Sequence, residues 1–409
     1  MTNILRQNIS TKMLRRSAGS ALRLAVVFAL GMVATRWAEA QTFTVLYAFK
    51  DQTDAANPYA GMVRDTAGHL YGTTFNGGGA GCYGYGCGAV FKLDTSGKEV
   101  ILYSFTDSPD GSGPYAGLVR DAEGNLYGTT LSGGSAGRGT VFKVGKDGRE
   151  TVLHSFGGSD DGDSPYAPLI RDAAGNLYGT TRGGKLNGYP TYGTVFKVSK
   201  TGKETVLYNF VYGAGAFPYA GLILDAADNL YGTTPSGGPG EWGTVFKLSR
   251  TGGWTLLHSF SNSDGGEPFG GVVRDAKGNL YGTTAVGGSS GLGTVFKLNR
   301  SGNETVLHNF AGYPTDGQSP YRRLVRDGAG NFYGATYYGG PSRCGTVFKL
   351  TKTGKETVLY NFSCGADGAF PYGSLALDEK GTLYGTAFGG GNYKCNGQYG
   401  CGTVWKLTP

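Results

Sequence analysis

The chain has 409 residues, 39% hydrophobic and 16% charged, and its 75 glycines and 15 prolines recur at fixed offsets among Val, Leu, Tyr, Phe and Thr, which excludes a low-complexity disordered protein. Its formal charge of +7 sits mostly in residues 1–40, where Arg6, Lys12, Arg15, Arg16, Arg23 and Arg36 face only Glu39. The remainder carries about +2, so no nucleic-acid partner is expected.

Residues 1–40 read as a signal peptide: a basic start, an apolar run over 24–35, and Ala38-Glu39-Ala40 as the small-x-small cleavage pattern. The apolar run is too short to span a membrane and no later segment is long enough, so no transmembrane segment is expected after cleavage. The implied location is secreted, periplasmic or at the cell surface, with residues 41–409 as a single domain.

From residue 41 the chain repeats itself. A Tyr-Gly-Thr-Thr-like motif returns at Tyr71, Tyr127, Tyr178, Tyr231, Tyr281, Tyr333 and Tyr384, spaced 50 to 56 residues apart. A near-constant period of that length marks a repeat architecture. The first copy shows its parts: residues 43–49, 61–65, 69–75, 88–93 and 99–105 read as strands, bounded by glycine-rich or polar turns. Asp65, Asp121, Asp172, Asp225, Asp275, Asp327 and Asp378 each open a tight turn whose fourth residue is glycine in six copies and Asp228 in the other. Asp is among the few residues besides glycine that tolerate the left-handed region, which supports the turn.

No segment holds a 3.6-residue apolar period, and the chain reads as all-β. Seven units of four antiparallel strands predict a seven-bladed β-propeller, with a β-solenoid as the alternative, although solenoid coils are usually shorter. The order Pro-Tyr-Ala-Gly-Leu, Asp-x-x-Gly-Asn-Leu-Tyr-Gly-Thr-Thr, Gly-Gly, Gly-Thr-Val-Phe-Lys-Leu resembles the GloVer tandem repeat of secreted bacterial proteins over residues 43–409, and the inner hairpin is similar to that of NHL-type propellers. The resemblance implies the fold and export and assigns no reaction. If Gly-Leu-Val-Arg-Asp is the innermost strand, residues 43–49 are an orphan outermost strand that completes the last blade. The rival closure pairs them with residues 61–65.

Six cysteines in an exported chain suggest disulfides. Aligning the repeats pairs Cys82 with Cys87, Cys344 with Cys364 and Cys395 with Cys401. Their spacing makes no four-ligand zinc set, and no metal or cofactor is expected. All three bridges fall on the face that carries the long loops between second and third strands, the better face for binding.

The candidate ligand-binding residues are the aromatics after the loop proline, Tyr59, Tyr115, Tyr166, Tyr219, Phe269, Tyr321 and Tyr372, with Trp242 in a loop on the same face. A ring of tyrosines near the axis suits stacking on sugar rings or gripping a peptide, and packing between blades is the structural alternative. His154, His258 and His308 occupy a strand position filled elsewhere by tyrosine, so they read as structural, and no nucleophilic triad is apparent. Asp-Gly pairs after the fourth strand, such as Asp161-Gly162, are turn signals that calcium could also use. Recurrent Lys92-like and Glu99-like residues in successive strands suggest cross-strand ion pairs or solvation of a sheet edge. The expected function is an exported binding module for carbohydrate or another extracellular polymer, a monomer whose partner is a glycan or an extracellular protein. The alternatives are a propeller enzyme of polysaccharide lyase or hydrolase type acting at the channel mouth, or a structural envelope scaffold, and no catalytic residue is assigned.

Overall fold

In the computed structural model, which describes residues 41–50, 54–79, 81–158, 160–395 and 399–408, every repeat folds into one four-stranded antiparallel sheet. The signal-peptide reading of residues 1–40 lies outside the described residues. Blade one contains strands β1 (Val63–Arg64), β2 (Leu70–Thr74), β3 (Ala89–Leu93) and β4 (Glu99–Ser104), hydrogen-bonded in that order. Blades two to six repeat this order with the same short inner strand and longer outer ones. Blade seven is built from both ends of the chain, with Thr42–Ala48 paired antiparallel to Thr403–Thr408, and Thr42 opposite Thr408. The N-terminal strand therefore closes the ring on the last blade, as the repeat order predicts, and the rival pairing with the first inner strand does not form.

The repeated motif can be explained residue by residue. Gly179 lies opposite Phe196 in the ladder, and a Cβ on it would meet the Phe196 ring 2.6 Å away. The same clash at Gly72, Gly128, Gly232, Gly282 and Gly334 explains why the second strand keeps a glycine beside each buried phenylalanine. The tight turn is held by its aspartate: Asp172 accepts from the Asn176 backbone at 2.8 Å, the Asn176 amide at 2.7 Å and the Tyr178 hydroxyl at 3.1 Å. In all seven blades the marker tyrosine donates to this aspartate at 2.9–3.2 Å. The bonds that His69 donates to Asp65 and Asn229 to Asp225, with those of the tyrosines, outweigh the effect of burial and hold both carboxyls at about 2.

The core lies between blades. The phenylalanine after each fourth strand sits edge-on to the third-strand aromatic of the next blade, from Phe49–Phe91 to Phe362–Trp405, with centroids 5.0–5.7 Å apart. Fully buried rings in such pairs add roughly 0.5–1.5 kcal/mol each beyond the burial of their area. Polar clasps join the same neighbours nearer the axis. Thr180 Oγ1 donates to the Pro218 carbonyl at 3.1 Å, and Thr73, Thr129, Thr233, Thr283 and Thr386 reach the next blade in the same way. Blade six carries Ala335 at this position and has no hydroxyl to offer.

The disulfides are Cys82–Cys87, Cys344–Cys364 and Cys395–Cys401, as the repeat alignment predicts. The expected lysine–glutamate pairs do not form. Lys92 stands opposite Val100 and Glu99 opposite Leu93, and Lys92, Lys143, Lys197, Lys247 and Lys349 each lie over the ring of the marker tyrosine on the second strand, as Lys92 does over Tyr71 at 5.8 Å. The glutamates turn instead toward the preceding blade. Burial and the Asp54 carboxylate push Glu99 up to about 8, and burial with Asp110 pushes Glu150 up to about 7.

Candidate functional site

Proline sets the entry to the innermost strand, and the residue before it is left-handed in every blade: Asn57, Gly113, Ser164, Phe217, Glu267, Ser319 and Phe370 have φ between 55° and 61°. Six of the seven lack glycine's freedom, and each such conformation costs about 1 kcal/mol or more unless the surroundings hold it. The holding contact is the same each time. The backbone N–H of this residue donates to the loop just before the third strand, as Ser164 does to the Arg138 carbonyl at 3.0 Å and Phe217 to Tyr192 at 2.7 Å. The aromatic two residues further on is thereby aimed at the axis.

All seven predicted aromatics meet there. Tyr59, Tyr115, Tyr166, Tyr219, Phe269, Tyr321 and Tyr372 form a closed circuit in which each ring touches the next at 4.6–5.6 Å. Tyr115 and Tyr372 also approach each other, two blades apart, at 5.9 Å. The circuit therefore draws inward over the axis, and every ring in it is half-buried. Burial, reinforced by the neighbouring phenols, pushes Tyr59 up to about 12, and it pushes Tyr115 up further. These hydroxyls are hydrogen-bond donors at neutral pH and carry no charge.

A second tier of aromatics extends this surface over blades six, seven and one. Tyr59 packs on Phe75 and Phe388, Tyr321 on Tyr337, and Tyr337 on Phe370. Sequence reasoning missed these contacts. Trp242 is 39% exposed on the same face and makes no ring–ring contact among the described residues. Its indole packs beside Gly266, whose Cβ would lie 2.9 Å from it. Of the thirteen large hydrophobic side chains exposed among the described residues, ten are Tyr or Trp, and all ten lie in loops of this face, among them Tyr83, Tyr189 and Tyr399.

The histidines take the tyrosine's part, as their alignment predicts. His154, His258 and His308 bind Asp161, Asp264 and Asp316 at 2.9–3.2 Å, where Tyr103 and Tyr360 bind Asp110 and Asp367 at 2.6–2.9 Å. One such group, His308, Asp316 and Glu356, brings three potential ligand atoms within 4.8 Å of one another. Because tyrosine fills the histidine position in other copies, the group reads as a blade contact. The loop after the fourth strand of blade three, Val211 to Gly215, lacks the aspartate, and there the next blade replaces glutamate with Trp254, which stacks on Tyr208 at 5.8 Å. Aspartate and glutamate are lost together because they face each other.

Below the aromatic circuit lies a cavity of about 390 Å3, walled by the innermost strands and touched by Tyr115 and Phe269. Arg322 also lines it. Its Nε donates to the Tyr372 carbonyl at 3.0 Å, and its guanidinium lies 4.2 Å from the Tyr372 centroid and 5.3 Å from that of Tyr115. Among the described residues, none that lines the cavity is acidic.

Solved structures share this architecture. Virginiamycin B lyase from Staphylococcus aureus superposes with a TM-score of 0.59 at 14% identity, covering 90% of this chain and 99% of that one. The extracellular domain of a two-component-system protein from B. thetaiotaomicron gives a TM-score of 0.55 at 14% identity, over 90% of this chain and 41% of that one. At such identities the likeness shows the fold alone. No curated protein matches the sequence. The family model for the Gloeobacter/Verrucomicrobia repeat matches residues 25–234 and again 186–405, so the chain belongs to that repeat family.

Proposed function

We propose that this propeller is an exported binding module that holds carbohydrate, or another extracellular polymer with comparable stacking faces, on its loop-rich face. The observation that carries the reading is the concentration of exposed tyrosine and tryptophan on that one face, around an axial circuit of seven aromatic rings. Tyrosine and tryptophan offer a flat apolar face together with a polar tip, which suits the C–H face and hydroxyl rim of a sugar, and they lose little side-chain entropy on binding. Three disulfides suit an oxidising compartment, in line with the leader read from the sequence. They also pin loops of the same face.

A glycan array probed with the chain lacking residues 1–40 tests the reading, with Tyr166→Ala and Tyr321→Ala as paired variants. Binding to a restricted set of polysaccharides, weakened about tenfold by either substitution, is the expected result. Folded variants that bind as well as the parent would overturn the role of the axial circuit.

A second reading, a propeller enzyme, draws support from Glu267. Burial raises its carboxyl above the usual range, and it stands two residues before Phe269 with its charge felt by Tyr321. A carboxyl whose pKa is raised by burial holds its proton more tightly than an exposed one and is the better candidate for general-acid work. Depolymerisation of a bound polysaccharide that is abolished by Glu267→Gln would favour this reading over simple binding.

A further inference from the structure

The innermost strands wall the channel with the smallest residues available. The two positions after the axial aromatic are Ala60-Gly61, Ala116-Gly117, Ala167-Pro168, Ala220-Gly221, Gly270-Gly271 and Gly373-Ser374 in six blades, and Arg322-Arg323 in blade six. Crowding accounts for the small residues: a Cβ on Gly270 would lie 2.7 Å from the Arg322 backbone, and one on Gly117 would lie 3.1 Å from the Gly61 carbonyl. Two long cations at this level are therefore a single departure from a wall that the other copies keep bare.

Both arginines line the axial cavity, and neither has an ion-pair partner among the described residues. Arg322 Nη2 is fully buried and makes no hydrogen bond, while its Nε is committed to Tyr372. Burial lowers the pKa of Arg323, which means that its charge is held at a cost. Buried guanidinium groups without carboxylates are destabilising, and an anion seated between them would relieve that cost while supplying the missing acceptors.

We propose that the axial cavity is an anion-binding site in which Arg322 and Arg323 hold the carboxylate of a hexose-sized acidic sugar, a uronate. The volume is that of a small-ligand pocket and fits one sugar ring. The Ala and Gly walls leave room for it, and the phenol of Tyr115 stands beside Arg322. The choice of a sugar acid rests on the carbohydrate reading above; the presence of an anion site rests on the arginines alone.

Calorimetric titration of the chain lacking residues 1–40 with glucuronate, with its methyl ester and with glucose tests the proposal. Glucuronate should bind at least about tenfold more tightly than either neutral sugar, because only its carboxylate offers the guanidinium groups a charged acceptor. Arg322→Gln and Arg323→Gln should each remove that advantage, Arg323→Lys should keep part of it, and raised salt should weaken glucuronate while leaving glucose unchanged. Equal affinity for glucuronate and its ester, no binding of any of the three, or a preference that survives both Gln variants overturns the proposal. If the Gln variants fail to fold, the ester comparison and the salt dependence of the parent protein decide it. Polysaccharide binding without a glucuronate preference sinks the anion site and keeps the surface reading. Glucuronate binding in a protein indifferent to polysaccharides does the reverse.

Discussion

The contacts between blades and the channel at the axis are built from the same repeat and obey different rules. Between blades, each copy makes the same set of contacts with the next, and a change in one copy is answered by its neighbour alone: where the loop after the fourth strand of blade three loses its aspartate, the facing glutamate becomes Trp254. At the axis all seven copies meet, so one departure reaches across the molecule. Arg322 belongs to blade six yet stacks on Tyr372 of blade seven and Tyr115 of blade two. Repetition in the first region means redundancy of structure. In the second, a single break in the repeat is enough to make a site.

Four experiments sharpen this contrast. Phe196→Ala empties a fully buried position between blades three and two, and it should cost about 3–5 kcal/mol in denaturant unfolding while leaving polysaccharide affinity unchanged in the folded fraction. An effect on affinity as large as that on stability would erase the distinction. Removing the Cys344–Cys364 bridge by Cys364→Ser opens a link between residues 20 apart, with an expected cost of about 3 kcal/mol, read as a lower denaturant midpoint.

The acid pairs between blades predict a pH dependence. Glu150, Glu204, Glu304 and Glu356 are raised to about 7 by burial and by the facing aspartates, and Glu99 to about 8. A carboxyl with a raised folded pKa binds its proton more tightly in the folded state, so stability falls as pH rises from the ordinary glutamate range to about 7 or 8 and is level beyond it. The lowered turn carboxyls act in the opposite sense: Asp65 and Asp225, at about 2, contribute stability above the ordinary aspartate range that is lost as pH falls toward 2. The melting temperature should therefore be highest in mildly acidic solution and drop by several degrees toward pH 8. Glu204→Gln should flatten part of that slope, and a melting temperature that climbs steadily from pH 5 to pH 8 would exclude the paired-acid account.

Smallest in stability is Tyr166→Ala at the axis. A half-buried ring among six others should cost under about 2 kcal/mol, yet polysaccharide affinity should fall about tenfold. That ratio of effects is the reverse of the one expected for Phe196→Ala.

Much of this was legible from the residues. The period, the turn aspartates, the three cysteine pairs and the exchange of histidine for tyrosine all follow from aligning one copy with another, because each reports a local geometry that every blade shares. The lysine and glutamate pairing was misread for a definite reason: alternation along a hairpin says which residues share a face, while the neighbouring blade, dozens of residues away, supplies what that face meets. Phe388 and Phe370 escaped notice because they lie in loops, where no periodicity marks the direction of a side chain, and Phe75 because the strand read over 69–75 ends at Thr74.

The sequence by itself determined the repeat, the all-β blades and their number, since these depend on turn chemistry and on a period of two, both encoded within a few residues. Only the tertiary structure decided that the seven axial aromatics draw together into one circuit, that the acids of adjacent blades face each other, and that Arg322 and Arg323 enter a cavity lined, among the described residues, by no carboxylate. Those contacts join residues brought together by closure of the ring, and no local pattern records which side chains will share the axis.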